Sequence, residues 1–421
     1  MSSRRFSPLQ FAKAVLLGIV VCCLLSQKAL SASQFDIVQI SNALLSPVGL
    51  NNNGQLVTTY NSGDGSGPVL LWSRSAGEQT ISIGGPTTPI GIDEAGDIVG
   101  TVGLSPNPQL AFFWQPGGSV QYPETPGANG SSAIAASSSG VVIGNNIGLP
   151  ESPYFIWNQS AGTQLLQVIS GQVPSLAGVN SSSQVAGTYI GDDGGSHAFL
   201  WSASAGLQDL GTLGADSASQ ASAVNDRGAV VGWSNFQIFL WTQTGGMKSI
   251  ANTGRREAGI SALGINNQSW VVLDVRATAS LWTPDLGVIK LSEYLRPLHD
   301  AVPYFGAVND FGVLALATTK GTYVLAPKMK MTVTSEPNPS TAGEAVTFTA
   351  SMNSIAGPPP DGEIVQFTMG KQLLGTGTLS GGIAQFTTSS LKAGSHRIAP
   401  SYGGDANYNP AHAIPVKQVV R

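Results

Sequence analysis

The chain has 421 residues, 52 of them glycine and 25 proline, with charged residues at only 10% and hydrophobic ones at 42%. So few charges cannot furnish the solvated faces of long helices, which excludes an all-helical or coiled-coil protein, and the apolar content excludes a disordered one. A formal net charge of −4 gives no electrostatic reason to hold nucleic acid.

In chain order, the first element is an export signal. Arg4, Arg5 and Lys13 precede a twelve-residue run from Ala14 to Leu25, and Ala29 and Ser31 follow at the minus-three and minus-one positions of a cleavage site. The run is short for a bilayer span. Residues 1–31 therefore read as a Sec-type signal peptide, with an uncleaved anchor as the alternative. Cys22 and Cys23 both lie inside it, so the exported chain has no disulfide, no thiol chemistry and no cysteine-ligated metal. Four bases and no acid leave with the signal, which makes the mature net charge −8. The expected location is secreted or on a bacterial cell surface, without membrane contact after cleavage.

Next comes a repeat of about 43 residues. A turn of the type G-x-N-x-x-G-x-V-V-G recurs, and its third position is Asn51, Asp93, Ser137, Asn180, Asn225, Asn266 and Asn309, at spacings of 42, 44, 43, 45, 41 and 43. A second landmark keeps the same period: an aromatic strand ends in Trp72, Trp114, Trp157, Trp201, Trp241 and Trp282, then Leu325. Each unit reads as four short strands: a small-residue strand, a β-branched strand, the aromatic strand and a last one. Asn-x-x-Gly suits the first turn, since Asn bonds nearby backbone and Gly accepts positive φ. Seven units of four strands predict a seven-bladed β-propeller over residues 34–327, with an open β-solenoid as the alternative. The last unit stops after its third strand, and the leftover segment Gln34 to Ile40 alternates as a strand and can complete it.

The strings HAFLW from His197, LQDLGTLG from Leu207 and AVNDRGAVVG from Ala223 resemble the HAF family of bacterial extracellular repeats over roughly residues 45–326. That resemblance implies a bacterial extracellular setting. It carries no catalytic or binding residues.

After Pro327 the repeat stops. Residues 330–421 read as about seven short strands between Pro/Gly turns, a cysteine-free immunoglobulin-like β-sandwich. AGEAVTFTA, LGTGTLSGGIAQFTTSSLKAGSHRI and YGGDANYNPA resemble bacterial Ig-like repeats of surface proteins, which implies a spacer or adhesive module. Up to Pro327 the mature chain has 9 bases and 19 acids, against 7 and 5 beyond it. The expected fold class is thus all-β, a seven-bladed propeller followed by an Ig-like sandwich.

Chemistry is sparse. No HExxH, GxSxG or paired histidine spacing occurs, so the chain is expected not to be an enzyme. Glu293, His299, Asp300 and Tyr304 cluster in the atypical segment before the last unit and are candidate ligand contacts. Trp233 and Trp270 join them because they fall outside the repeated tryptophan position. Asp64, Asp192 and Asp193, in the Gly-rich loops GDGSG and GDDGGSH, are the candidates for Ca²⁺, although EF-hand spacing is missing and no cofactor is otherwise expected. The repeated asparagines are expected to cap their own turns, and His197 to be structural. The expected function is a noncatalytic surface or secreted protein that binds a glycan or protein, with the Ig-like domain as spacer. The alternatives are a propeller-based polysaccharide hydrolase or lyase and a purely structural envelope protein.

Overall fold

The computed structural model describes residues 34–60, 67–103, 109–151, 153–167, 173–214, 218–252, 260–275, 278–291 and 303–421, with the backbone alone at 303–305. Among them are no α-helix and seven four-stranded antiparallel sheets, followed by a two-sheet sandwich. The fifth sheet shows the plan. It runs Ser219–Val224, Val230–Ser234, Gln237–Thr242 and Gly246–Asn252, each strand paired with the next. We number these sheets as blades one to seven in order of their inner strands.

Side chains of alternate residues leave a strand on opposite faces, so each blade buries one apolar set against the blade before it and another against the blade after. Val230, Phe239 and Trp241 pack on Ala186, Ala198 and Leu200 of the fourth blade, while Val231 and Ile238 pack on Val271 and Leu273 of the sixth. Having neighbours on both faces leaves little room for charge. Phe112, Phe155, Phe199 and Phe239 are fully buried at one repeat position, and each ring lies over the glycine paired with it on the second strand. A Cβ on Gly100 would meet the Phe112 ring at 2.7 Å, and one on Gly232 the Phe239 ring at 2.8 Å. The last glycine of the repeated turn motif is thus the space into which the aromatic strand packs.

Phe35–Ser41 pairs antiparallel with Gly321–Pro327, from Phe35 opposite Pro327 to Ser41 opposite Thr322, and is the outer strand of the seventh blade. The inner strand of the first blade, Leu45–Leu50, meets the seventh through Thr322, whose Oγ1 accepts the Leu45 N–H and shares its one hydrogen between the Leu45 and Ala43 carbonyls. Leu56 packs there with Val313, Ala315 and Val324.

The sandwich sets the sheet Lys330–Glu336, Val346–Asn353, Ile383–Thr388 against a five-stranded sheet led by Gln372–Thr378 and Ile364–Met369. Strict alternation along Val346–Asn353 sends Val346, Phe348, Ala350 and Met352 into its core with Phe367 and Ile398. This domain does not hang as a spacer. Asn407, 4% exposed, donates from Nδ2 to the Asn52 carbonyl at 2.7 Å and accepts at Oδ1 from Asn309 Nδ2 at 2.7 Å. Only Lys328 and Met329 separate it from the last blade.

Candidate functional site

The turn joining the first and second strands of each blade sits at one end of a central channel, and its residues build the candidate site. At the third motif position, Asn51 Oδ1 accepts the N–H groups of Asn53 and Gln55, at 3.1 and 2.9 Å. Asn180, Asn225, Asn266 and Asn309 cap their turns in the same pattern. The residue three positions on takes positive φ in all seven blades, including Ser183 at 58° and Ser269 at 61°, which is why glycine stands there in the other five.

Capping accounts for only one end of each asparagine. The amide nitrogen donates to the backbone carbonyl of the equivalent residue in the following blade: Asn51 to Asp93 at 2.9 Å, Asn180 to Asn225 at 3.0 Å, Asn225 to Asn266 and Asn266 to Asn309 at 2.8 Å. Asn309 then donates to the Asn51 carbonyl at 3.0 Å and closes the ring. Asp93 and Ser137 have no amide to give.

The fourth motif position, which the sequence reading passed over, carries the chemistry. It is Asn52, Glu94, Ser138, Ser181, Asp226, Asn267 and Asp310. Main-chain N–H groups of Asn52, Ser181 and Asn267 donate to the carboxylates of Glu94, Asp226 and Asp310 in the following blade, at 2.9, 2.8 and 2.7 Å. Asn52 Oδ1 and Asn267 Oδ1 accept from Asp310 and Asp226 in the same way. Side chains then join one another: Asn267 Nδ2 reaches both Asp226 at 3.2 Å and Asp310 at 2.9 Å, and Asn52 Nδ2 reaches Asp310 at 3.0 Å. Ser138 donates its only hydroxyl hydrogen to Asp226 at 2.7 Å, so Ser181 must be the donor in the 2.7 Å Ser138–Ser181 contact.

Below this rim the inner strands bulge. Their register against the second strands shifts at Val48, Ile90, Ile134, Ala177, Ser222 and Leu263, one residue in each of six blades. A bulge re-aims the extra side chain, and all six line the cavity behind the rim, which holds about 360 Å³. The site is therefore a collar of five apolar residues and Ser222 beneath a mouth bearing Glu94, Asp226 and Asp310. Among the described residues no lysine or arginine forms an ion pair with these acids.

Their environments separate the carboxyl groups. Burial pushes Glu94 up to about 6, and Asp310, Asp93 and Asp226 nearby add to the rise. Asp226 is also partly buried, yet hydrogen bonds from Ser138, Ser181 and Asn267 outweigh that and hold it below the usual carboxylate value. Glu94 Oε2 accepts one bond, from Asn52; its Oε1 accepts none among the described residues.

Of the residues singled out from sequence, those that are described fall in separate places. Glu293, His299, Asp300 and Asp64 lie outside the described residues, as does the Tyr304 side chain. Trp233 stands half-buried at the second hairpin of the fifth blade, edge-on to Phe236 at 5.7 Å. Trp270 is corrected: at 5% exposure it is core, its ring pressed on Gly312 beside Ala356 of the Ig-like domain. Asp193 accepts from the Gly195 N–H at 2.8 Å and faces His197 Nε2 at 3.1 Å, while Asp209 faces His197 Nδ1 at 2.8 Å. Only a protonated imidazole donates to both acceptors, and in that state His197 ties the Asp193 loop to Asp209. Burial alone would lower His197, but the bonds to Asp209 and Asp193 outweigh it and raise the ring's pKa. Asp192 is exposed. Among the described residues no group of three or more His, Cys, Asp or Glu side chains is arranged to hold a metal ion.

Residues 333–421 match the family model of the bacterial Ig-like domain (group 3). No curated protein matches the chain. Among solved structures it is similar to a virginiamycin B lyase from Staphylococcus aureus, at 10% identity and a TM-score of 0.48 over 69% of this chain and 98% of that one. It is also similar to the extracellular domain of a hybrid two component system from B. thetaiotaomicron, at 10% identity and a TM-score of 0.47, over 92% of this chain and 59% of that one. A gluconolactonase from Xanthomonas campestris follows at 11% identity and a TM-score of 0.37, over 70% and 92%. The Ig-like domain supports a surface or secreted protein. The expectation that the chain is not an enzyme is withdrawn, since it rested on missing motifs alone. A motif-poor chain of this architecture gives no ground for denying catalysis.

Proposed function

We propose that the protein is exported through its N-terminal signal, as a HAF-type repeat protein, and binds a glycan at the mouth of the propeller channel. The observation that carries this reading is the pairing of surfaces in one cavity of about 360 Å³. Asn267 spends both amide hydrogens, and Ser138 its hydroxyl hydrogen, on Asp226 and Asp310. Apart from the second amide hydrogen of Asn52, what the rim has left to offer is acceptors, above all Glu94 Oε1. Such a rim favours a ligand that mostly donates and also accepts, as sugar hydroxyls do, while the CH faces of a sugar ring suit the collar of Val48, Ile90, Ile134 and Leu263.

A glycan array with the mature protein, run with and without Ca²⁺, tests this. Glu94→Gln keeps the side chain's size but replaces an acceptor with a donor, and it should weaken a hit at least tenfold, while Trp233→Ala leaves the hit unchanged. The opposite pattern would move the site to the fifth-blade hairpin, and silence across the array would sink the reading. One observation favours a second reading, cleavage of the bound glycan: Glu94 is pushed up to about 6 while Asp226 is lowered, the separation of two carboxyls that acid–base work requires. Release of reducing ends from any array hit, abolished by Glu94→Gln, is its test.

A further inference from the structure

The repeat chain has one topological break, and it lies inside the seventh blade. Every other neighbouring pair of blade strands is joined by chain, but Phe35–Ser41 and Gly321–Pro327 are held to each other by their ladder and side-chain packing with no chain connection. If Phe35–Ser41 peels away it stays attached to the first blade, and the first blade is left on the rest of the seventh by face packing and the turn bonds alone. It is the one join between neighbouring blade strands that no chain connection backs up.

The Ig-like domain crosses that join. It is attached by its two-residue linker to Gly321–Pro327, on the seventh-blade side, and the Lys328 N–H bonds the Gln34 carbonyl at 2.8 Å. From there it reaches the first blade. Asn407 donates to the Asn52 carbonyl, and Arg74, near the end of that blade's third strand, donates to Asn409. A Cβ at Gly54, which sits at positive φ on the turn tip, would meet the Ala406 carbonyl oxygen at 2.6 Å, so the two backbones are in direct contact. On its own side the domain holds Asn309 through Asn407 Oδ1, and Tyr408 donates to the Phe311 carbonyl at 3.4 Å. Asn309 Nδ2 is the same atom that closes the asparagine ring onto Asn51. Asn407 is buried among partners on both sides of the break.

We infer that the Ig-like domain is the lock of the propeller ring: its segment Asp405–Asn409 staples the first blade to the seventh across the break. The N-terminal strand straps the first blade to the seventh, and the C-terminal domain straps the seventh to the first. The two straps share the load, so loosening one exposes the other.

Hydrogen exchange on the full mature chain tests this without a ligand. Asn407→Ala should raise exchange at least tenfold in Phe35–Ser41, Gly321–Pro327 and Leu45–Leu50, and leave Gly130–Ala136 and Ser175–Val179, on the far side of the ring, unchanged. Tyr408→Phe removes only the bond to Phe311 and should raise the same segments by a smaller factor, which keeps the test open should Asn407→Ala fail to fold. Faster exchange at Asp405–Asn409 with the seam strands unmoved would overturn the lock. So would a rise spread evenly over all seven blades.

Discussion

Two arcs of the ring are built differently. From the fourth blade through the seventh to the first, the third turn residue is asparagine, and its amide ties each blade to the one after. In the second and third blades that residue is Asp93 or Ser137. Asp93 caps its own turn through Oδ1, to the Ala95 and Asp97 N–H groups, but it has nothing to donate, and the link forward is the Glu94 N–H to the Ser138 carbonyl at 2.9 Å. Ser137 caps its turn at 3.0 Å to Val141 and is too short to reach the fourth blade. Capping is thus common to the whole ring, while latching belongs to one arc. The same turn does two separable jobs, and only the asparagine side chain, an acceptor and a donor on one short stem, does both.

The largest expected effect is on the latched arc. Asn266→Ala removes the bonds to the Gln268 and Trp270 N–H groups and to the Asn309 carbonyl, all in a turn where Asn266 is 4% exposed. Leaving buried groups unpaired costs more than the bonds themselves return, so a loss of about 3 kcal/mol is expected. Ser137→Ala, which removes capping alone, should cost about 1 kcal/mol. Urea unfolding of both variants checks the difference, and equal losses would break the distinction between the arcs.

A smaller effect, of opposite sign, is expected from Asp93→Asn. Burial pushes Asp93 up to about 6, with Asp97 nearby adding to the rise against the bonds from the Asp97, Ala95 and Gly96 N–H groups. A carboxyl whose folded value lies above its unfolded one is protonated more readily in the folded state. Stability from this group is therefore greatest below about 4, falls as pH rises to about 6, and stays low above that. The amide removes the buried charge and supplies the missing latch to the third blade. The variant should gain about 1 kcal/mol at neutral pH, the full shift being screened in part through the open mouth. It should also unfold with a flatter profile between pH 4 and 6, leaving the slope that Glu94 contributes. A variant less stable than the parent at pH 7 would mean that the charge itself is used.

How much of this was legible follows the same division. Period, strand order and turn chemistry are local, so the tryptophan and asparagine spacings revealed the blades, and the leftover strand before Leu45 found its place by count. The capping half of each asparagine was legible too, because its partners lie two and four residues on. Its latching half was hidden, since the acceptor sits one whole repeat away in sequence. The mouth was missed for a further reason: the fourth motif position varies among Asn, Glu, Ser and Asp, and variation reads as an unconstrained turn until the ring brings those residues face to face. Trp270 was misjudged because what buries it, Gly312 and the turn at Ala356, comes from another blade and another domain.

The smallest expected effect sharpens the comparison most. Ser137→Asn offers the third blade an amide aimed at the Asn180 carbonyl, without altering a charge. Asn180 already caps its own turn and latches forward to Asn225, so its carbonyl is held in place and, among the described residues, accepts only the Ser183 N–H at 2.9 Å, which leaves a second lone pair for the new amide. One added neutral hydrogen bond is worth about 0.5–1 kcal/mol. Combined with Asp93→Asn it would make every position of the ring both cap and latch. Since each latch restrains the blade that the next must reach, the double variant should gain more than the two single variants added together, measured by urea midpoints in a double-mutant cycle. Simple additivity would mean that the latches act as independent pairs, and that the ring is closed by its lock at the seventh blade alone.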